Sequence, residues 1–200
     1  MRGTGHGSRR RTAQPLFLVL LLVTASSAGG AVLLSQEQAL AEAFPEAEVE
    51  RLTAFLDQPQ VRRIEELAGS EIESRVIIRY RGVREGGVLG TAYFDSHLVR
   101  TLPETLMIVV GPDGDVTRIE VLSFDEPPDY LPREKWFEQF DGRGLDPELS
   151  LKRGIRGVTG ATLSSRAVTT AVRRALAIHR VLEEFAADED QTPESGEEQP

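Results

Sequence analysis

Apolar positions change their spacing three times along the chain, and each change marks a new kind of element. "SQEQALAEAF" has helical spacing and reads as a short helix capped by Ser35 that ends before Pro45. "DQPQVRRIEELAG" reads as a second helix, with Gly69 as its stop signal. The period then shortens. "SRVIIRYRG" alternates, placing Val76, Ile78 and Tyr80 on one face of a strand, and "GGVLGTAYFDSHLVR" predicts a second strand after a glycine turn. In "TLMIVVGPDGDVTRIEVLSF" two β-branched runs flank Pro112-Asp113-Gly114, which predicts a hairpin. A proline-marked loop, "PPDYLPREKWFEQFDGRG", leads into a short helix around Glu134 to Phe140. Helical spacing returns near Leu163 or Ser164, with Leu163, Ala167, Ala171, Ala175, Ile178, Leu182 and Phe185 three and four residues apart. Helices, then strands, then helices predict an α+β domain: an antiparallel sheet with flanking helices.

The two ends have a different character. Near the N-terminus a basic run is followed by an apolar run from Leu16 to Val23 and small residues from Ala25 to Ala31. That order is a secretory signal cut after Ala28 or Ala31. The stretch from Ala13 to Gln36 is also free of charge and long enough for a retained membrane anchor. Either form leaves the arginines inside and the remainder extracytoplasmic, in the periplasm or on the outer face of the inner membrane. Gln191 to Pro200 is acidic and lacks large apolar residues, which predicts disorder. The expected division is residues 1–31 as leader, 32–72 as a helical segment, 73–186 as the folded domain and 187–200 as an acidic tail.

Composition removes several functions. With Cys at 0, disulfides, thiolate zinc sites, iron–sulfur clusters and thioether haem are excluded. His6, His97 and His179 are far apart in sequence, so no histidine metal site is expected. A net charge of -9 argues against a nucleic-acid partner, which needs a basic patch to neutralise phosphates. His97 reads as a surface or capping residue, His179 as a cation near the end of the last helix, and Arg173-Arg174 as a solvated helix face.

Candidate chemistry concentrates in "GVTGATLSSRAVTTAV", residues 157–172, where Thr159, Thr162, Ser164 and Ser165 crowd before a helix that needs one cap. One reading is a turn at Thr159-Gly160 followed by a cap from Ser164 or Ser165. Another is an anion site: helix-start N–H groups attract phosphate, Gly160 lets backbone approach a ligand, and Lys152, Arg153 and Arg156 lie upstream. "TGAT" lacks the glycine spacing and lysine of a P-loop, and no G-x-S-x-G marks a serine nucleophile, so no catalytic residue is assigned.

"TGATLSSRAV" resembles the flavinylation motif of the FMN-binding domain family, Asp-x-x-Ser/Thr-Gly-Ala-Thr/Ser followed by a hydroxyl-rich helix start. That family includes the C subunit of the sodium-pumping NADH:quinone reductase and the G subunit of the Rnf electron-transport complex. Thr159, Gly160, Ala161 and Thr162 match the motif, and Leu163, Ser164 and Ser165 continue it. "FDEPPDYLPREKWFEQFDGR" is similar to the family's Glu-Thr-Pro loop and Trp-containing helix. Glu126 and Pro127 fall in that loop, Pro128 stands where Gly is frequent, and Trp136, Phe140 and Gly142 match the helix. Arg156 departs from the pattern, occupying the position of the motif's acid.

The resemblance implies FMN as cofactor, joined through a phosphoester to Thr162 by a separate flavin transferase, since no base is present to activate a threonine hydroxyl. It implies an electron carrier or redox subunit exchanging electrons with a membrane or soluble donor and acceptor. Thr159, Gly160, Ala161, Leu163 and Ser164 would surround the phosphate. Glu104 and Thr105, just before a strand, would contact the ring or ribityl chain, and Glu126 is the loop acid singled out. Trp136, Phe137, Phe140 and Tyr130 are candidates for the ring's aromatic wall, with ordinary core packing the alternative for each. A flavin-free interaction module of the same fold is the other reading, with Arg156 the residue that favours it. A flavoenzyme with its own small-molecule substrate is a third.

Overall fold

The computed structural model describes residues 31–190, so the expected leader apart from Ala31, and residues 191–200 of the expected tail, lie outside the described residues, while residues 187–190, expected to be disordered, continue the last helix. The elements run β1 (Ala31–Val32), α1 (Gln36–Ala43), β2 (Glu48–Phe55), α2 (Gln58–Ala68), β3 (Val76–Arg84), β4 (Gly87–Leu98), β5 (Pro103–Val110), β6 (Val116–Phe124), α3 (Glu134–Phe137) and α4 (Thr162–Asp190). Single 3-10 turns at Pro128–Tyr130 and Glu138–Phe140 flank α3. The strands form one antiparallel sheet in the order β1-β6-β5-β4-β3-β2, so β2 to β6 follow the chain as a meander. The expected α+β architecture is the observed one.

Local signals explain most element ends. Ser35 and Asp57 each form a capping box with the glutamine three residues on, Gln38 and Gln60. Gly69 ends α2 with φ 71, a left-handed conformation that costs glycine little. The β5–β6 hairpin closes as expected through Pro112-Asp113-Gly114. The segment 32–72, expected to be helical, also contains the strand β2. "EVERLTAF" carries three charges and alternates poorly because it is an edge strand, where charge blocks pairing with another chain.

Both faces of the sheet are covered. Leu106, Ile108 and Val110 of β5 point to one face, packing with Ile64 of α2 and Val168, Val172 and Leu176 of α4. Met107 and Val109 point to the other, packing with Leu40 of α1 and Phe44 just beyond it. This double burial is why β5 reads as an unbroken apolar run. Val76, Ile78 and Tyr80 share the α1 face as expected, yet Val76 and Ile78 remain exposed because α1 covers only the part of that face around Tyr80. On α4 the buried face is wider than the predicted stripe: Val168, Val172, Leu176 and Val181 are as buried as Ala171 and Ala175, while Leu163 and Phe185 stay exposed.

Arg173 and Arg174 are not a solvated face. Arg173 donates to the carbonyls of Leu67 and Ala68 at the end of α2, and to those of Asp146 and Leu149. It thereby satisfies carbonyls that the end of α2 leaves without helical partners. Arg174 makes a two-pronged contact with Asp95 of β4, both distances 2.7 Å. The two arginines pin α4 to α2 and to the sheet, which fixes where its N-terminus lies.

Candidate functional site

The hydroxyl-rich stretch sits where a loop enters α4. The loop is held from below: Trp136 donates its indole N–H to the carbonyl of Arg156, and the Arg156 N–H donates to Gln139 Oε1 at 2.9 Å. Trp136 packs edge-on against Phe137 and Phe140, with Phe140 fully buried. The Arg156 side chain itself is exposed. The chain then turns at Gly160, whose φ of 86 suits glycine.

Neither Ser164 nor Ser165 caps the helix, which starts at Thr162, so both lie inside its first turn. Ser165 Oγ accepts the Val158 N–H at 3.2 Å and donates to the Ala161 carbonyl at 2.9 Å, tying loop to helix. Thr169 likewise donates to the Ser165 carbonyl at 2.7 Å. Among the described residues, no acceptor meets the N–H groups of Thr162, Leu163 or Ser164. The Ser164 hydroxyl is buried and also without a partner there. Thr162 is exposed, and its hydroxyl makes only a 3.5 Å contact with the Val158 carbonyl.

Thr162 borders two clefts. One, of about 650 Å³, lies toward α2 and includes Leu151, Lys152, Val158, Thr159, Arg166 and Thr170 in its walls. The other, of about 150 Å³, is walled by Arg100, Tyr130 and the run Gly160 to Ser164. The Arg100 guanidinium lies 5.5 Å from the centre of the Tyr130 ring. Arg100, Lys152 and Arg166 therefore supply positive charge where the free N–H groups already favour an anion. Lys152 is legible in the sequence as an upstream cation. Arg100 and Arg166 carry no such signal, and only contact across the fold brings Arg100 to Thr162.

The other expected site residues lie apart from these clefts. Glu126 is buried and accepts from the N–H groups of Thr101 and Leu102 at 2.9 and 3.1 Å. Hydrogen bonds from the backbone of Thr101, then Leu102 and Arg100, lower its pKa below the ordinary value and keep it ionised. It thus holds the β4–β5 turn that carries Arg100. Trp136 lines neither cleft. Thr105 faces away from α4 and meets Ser96 at 2.8 Å. Glu104 is fully buried on the α4 side of the sheet, with Oε2 3.1 Å from His97 Nε2 and Oε1 without a partner among the described residues.

His97 is not a free surface residue. It bridges Glu104 and Asp95, and Asp95 continues to Arg174. Burial alone would lower the His97 pKa, but its hydrogen bonds to Asp95 and Glu104 prevail and raise it to about 9. Burial would raise that of Asp95, yet bonds from His97 and Arg174 bring it down to about 2. His179 lies mid-helix with Nδ1 3.0 Å from the Tyr93 hydroxyl, and burial lowers its pKa, so it is neutral.

The signs of these shifts define a pH window. The Asp95 contribution is complete above its unfolded pKa of 3.8 and lost as pH falls through about 2. The His97 contribution is complete below 6.5 and lost as pH rises through about 9. The two limbs share the Asp95–His97 contact, so their losses are not additive. Unfolding titrations across pH should show a plateau between about pH 4 and 6.5 with losses on both sides, and His97→Gln should flatten the alkaline limb. An alkaline limb unchanged in that variant would remove His97 as its origin.

Residues 102–177 match the family model described as an FMN-binding domain. The chain is also 24% identical over 158 residues to the G subunit of the Na(+)-translocating ferredoxin:NAD(+) oxidoreductase complex of Acetobacterium woodii, covering 70% of this chain and 68% of that one. The resemblance read from "TGAT" and the Glu126 loop is therefore borne out at the level of the family, and FMN is the cofactor to which it points. The residues suit that molecule. An anion is met by free amides, an unpartnered buried hydroxyl and cations, and the larger cleft lies within the roughly 300–1,000 Å³ of small-molecule sites. Among the described residues, no helix is long and apolar enough to cross a membrane.

Proposed function

We propose, on the premise that residues 102–177 form an FMN-binding domain, that this chain is an extracytoplasmic electron carrier with FMN esterified to Thr162. The carrying observation is the Thr162 hydroxyl: exposed, almost uncommitted, and the first residue of a helix whose leading N–H groups are free. A phosphate there meets the positive end of the helix dipole.

Thr162 has no base beside it among its hydrogen-bond partners, so attachment requires a separate transferase. With a flavin dinucleotide as donor, the Thr162 Oγ1–P bond forms as the pyrophosphate P–O bond breaks. The nucleoside monophosphate leaves, and the hydroxyl proton passes to a base on the transferase. Arg156, in the place of the motif's acid, does not distort the loop: its backbone makes the contacts and its side chain lies in solvent.

Once bound, the flavin supplies the electron chemistry, and the protein supplies position and partner contact. The similarity to a subunit of a ferredoxin:NAD(+) oxidoreductase complex supports membrane redox proteins as partners, and the apolar leader supports a place outside the cytoplasm. The test is redox cycling without an organic substrate. Protein produced with a transferase should bleach on anaerobic reduction by dithionite and recover its yellow colour with ferricyanide. Protein that holds no flavin after such production contradicts the reading and leaves the flavin-free module.

A further inference from the structure

More than half of the large apolar side chains that stand exposed among the described residues gather at one end of the sheet. We propose that this rim is a bilayer-docking surface. It enters the lipid interface and fixes which way the domain faces, while the apolar leader, in its retained form, holds the domain to the membrane. This rests on the extracytoplasmic reading above, with the leader as an anchor.

Strand direction and register place the rim. β2 ends at Phe55, β4 ends at Leu98, and β3 starts at Val76, so these three residues share one end of the sheet. Phe55 pairs directly with Val76. Leu102 lies across the β4–β5 turn from Leu98, its carbonyl accepting the Val99 N–H at 3.1 Å. Leu163, in the first turn of α4, borders the same cleft as Arg100 of that turn. Phe55 is 77% exposed and Leu98 65%. Single exposed apolar residues are ordinary, but their collection at one end marks a surface that meets an apolar partner.

The point where the chain enters the domain identifies that partner. Ala31 pairs with Phe124, Phe124 with Glu104, and Glu104 with His97, next to Leu98. The leader therefore joins the sheet at the end that carries the rim. Its apolar run ends at Val23, and the stretch from Ala13 to Gln36 has no charge. From Val23 to Ala31 the chain reaches at most roughly 30 Å, less than the roughly 40 Å length of β4. A leader held in the bilayer thus keeps the rim within reach of lipid. The far end of the sheet differs in kind. Val88, just after the β3–β4 turn, borders a cleft lined by Arg81, Asp113, Asp115 and Glu183, charges that are costly to bring into a lipid interface. Apolar residues at the tethered end and charge at the other give the domain one favoured orientation.

Cys is 0 in this chain, so a single introduced cysteine is labelled cleanly. The full chain is reconstituted in vesicles of phosphatidylethanolamine and phosphatidylglycerol, with an environment-sensitive dye placed through Leu98→Cys, Phe55→Cys or Val88→Cys. Nitroxide on the upper acyl chain should quench the Leu98→Cys and Phe55→Cys labels several-fold more than the Val88→Cys label, and aqueous iodide should do the reverse. Adding Val76→Glu and Leu102→Glu should return the Phe55→Cys label to iodide. Circular dichroism checks that each variant is folded.

Labels at the rim as open to iodide as the Val88→Cys label overturn the proposal, as does a full chain that does not stay with the vesicles. Rim labels shielded from iodide yet untouched by the lipid nitroxide also overturn it, and assign the rim to a protein contact. Flavin content separates this result from the carrier reading. Covalent flavin on a chain whose rim labels stay in water leaves the carrier standing. Lipid-quenched labels on a chain that holds no flavin after production with a transferase leave the docking surface and remove the carrier.

Discussion

Thr162→Val abolishes covalent flavin and leaves the fold in place. The substitution removes one hydroxyl and keeps the β-branched shape. Within the protein that hydroxyl makes only a 3.5 Å approach to the Val158 carbonyl, at the edge of hydrogen-bonding distance, so stability should change by less than about 1 kcal/mol. Exposure of the residue means that no cavity forms. What disappears is the oxygen proposed to join the phosphate to the chain. Flavin that survives denaturation should fall from stoichiometric to undetectable. Substitution of Thr159, equally exposed and three residues earlier, should leave the bond intact, because Thr159 lies before the turn at Gly160 and outside the helix start. Persistent covalent flavin in Thr162→Val would move the attachment to another hydroxyl.

Asp95→Ala should be strongly destabilising. Asp95 accepts both prongs of Arg174 and one ring nitrogen of His97, and all three side chains are largely buried. Removing the carboxylate leaves Arg174 without its partner and His97 with Glu104 alone, a loss of about 3–5 kcal/mol for breaking a buried pair. For a domain of this size that is a fall in Tm of roughly 10 °C. The exposed pair of Arg118 and Glu42 provides the contrast: Glu42→Ala should cost under about 1 kcal/mol. Both are read by thermal unfolding at about pH 6, inside the plateau set by Asp95 and His97. A Tm shift for Asp95→Ala no larger than for Glu42→Ala would show that the network contributes little. The Asp95 change should also loosen the N-terminal half of α4, since Arg174 is its tie to β4, and so weaken flavin retention as a secondary effect.

The helix caps, the β5–β6 hairpin and the flavin motif are legible in the sequence because each is a local signal. Ser35 with Gln38, Asp57 with Gln60, and Pro112-Asp113-Gly114 act within a few residues of one another. β2 escapes because an edge strand has no need of a clean alternation, and its charges serve to discourage further pairing. The roles of Arg173 and Arg174 escape because their partners are 105 and 79 residues away, on α2 and β4. Nothing on the helix itself distinguishes an arginine that faces water from one that reaches a carbonyl on another element.

The same division holds at the site. The positions from Thr159 to Ser164 are readable as one contiguous run, and the structure assembles them at one helix start. Arg100 joins them only through the β4–β5 turn, and Glu126 holds that turn through the N–H groups of Thr101 and Leu102, a relation no spacing encodes. Trp136 is legible as an aromatic residue of the right loop, but its indole serves to hold the Arg156 carbonyl, so its first effect on the site is to shape the approach to Gly160. Ser164 and Ser165 read as alternatives for one job, yet they differ: Ser165 is fully bonded within the protein, and Ser164 has an unpartnered hydroxyl beside Thr162.

The central claim is that Thr162 carries FMN. The most direct measurement is the intact mass of the full chain after export from a host with an extracytoplasmic flavin transferase, followed by peptide mapping. The expected result is a gain of one FMN less one water, confined to the peptide that contains Thr162. An unmodified mass in that host, with no flavin in the preparation, would contradict it.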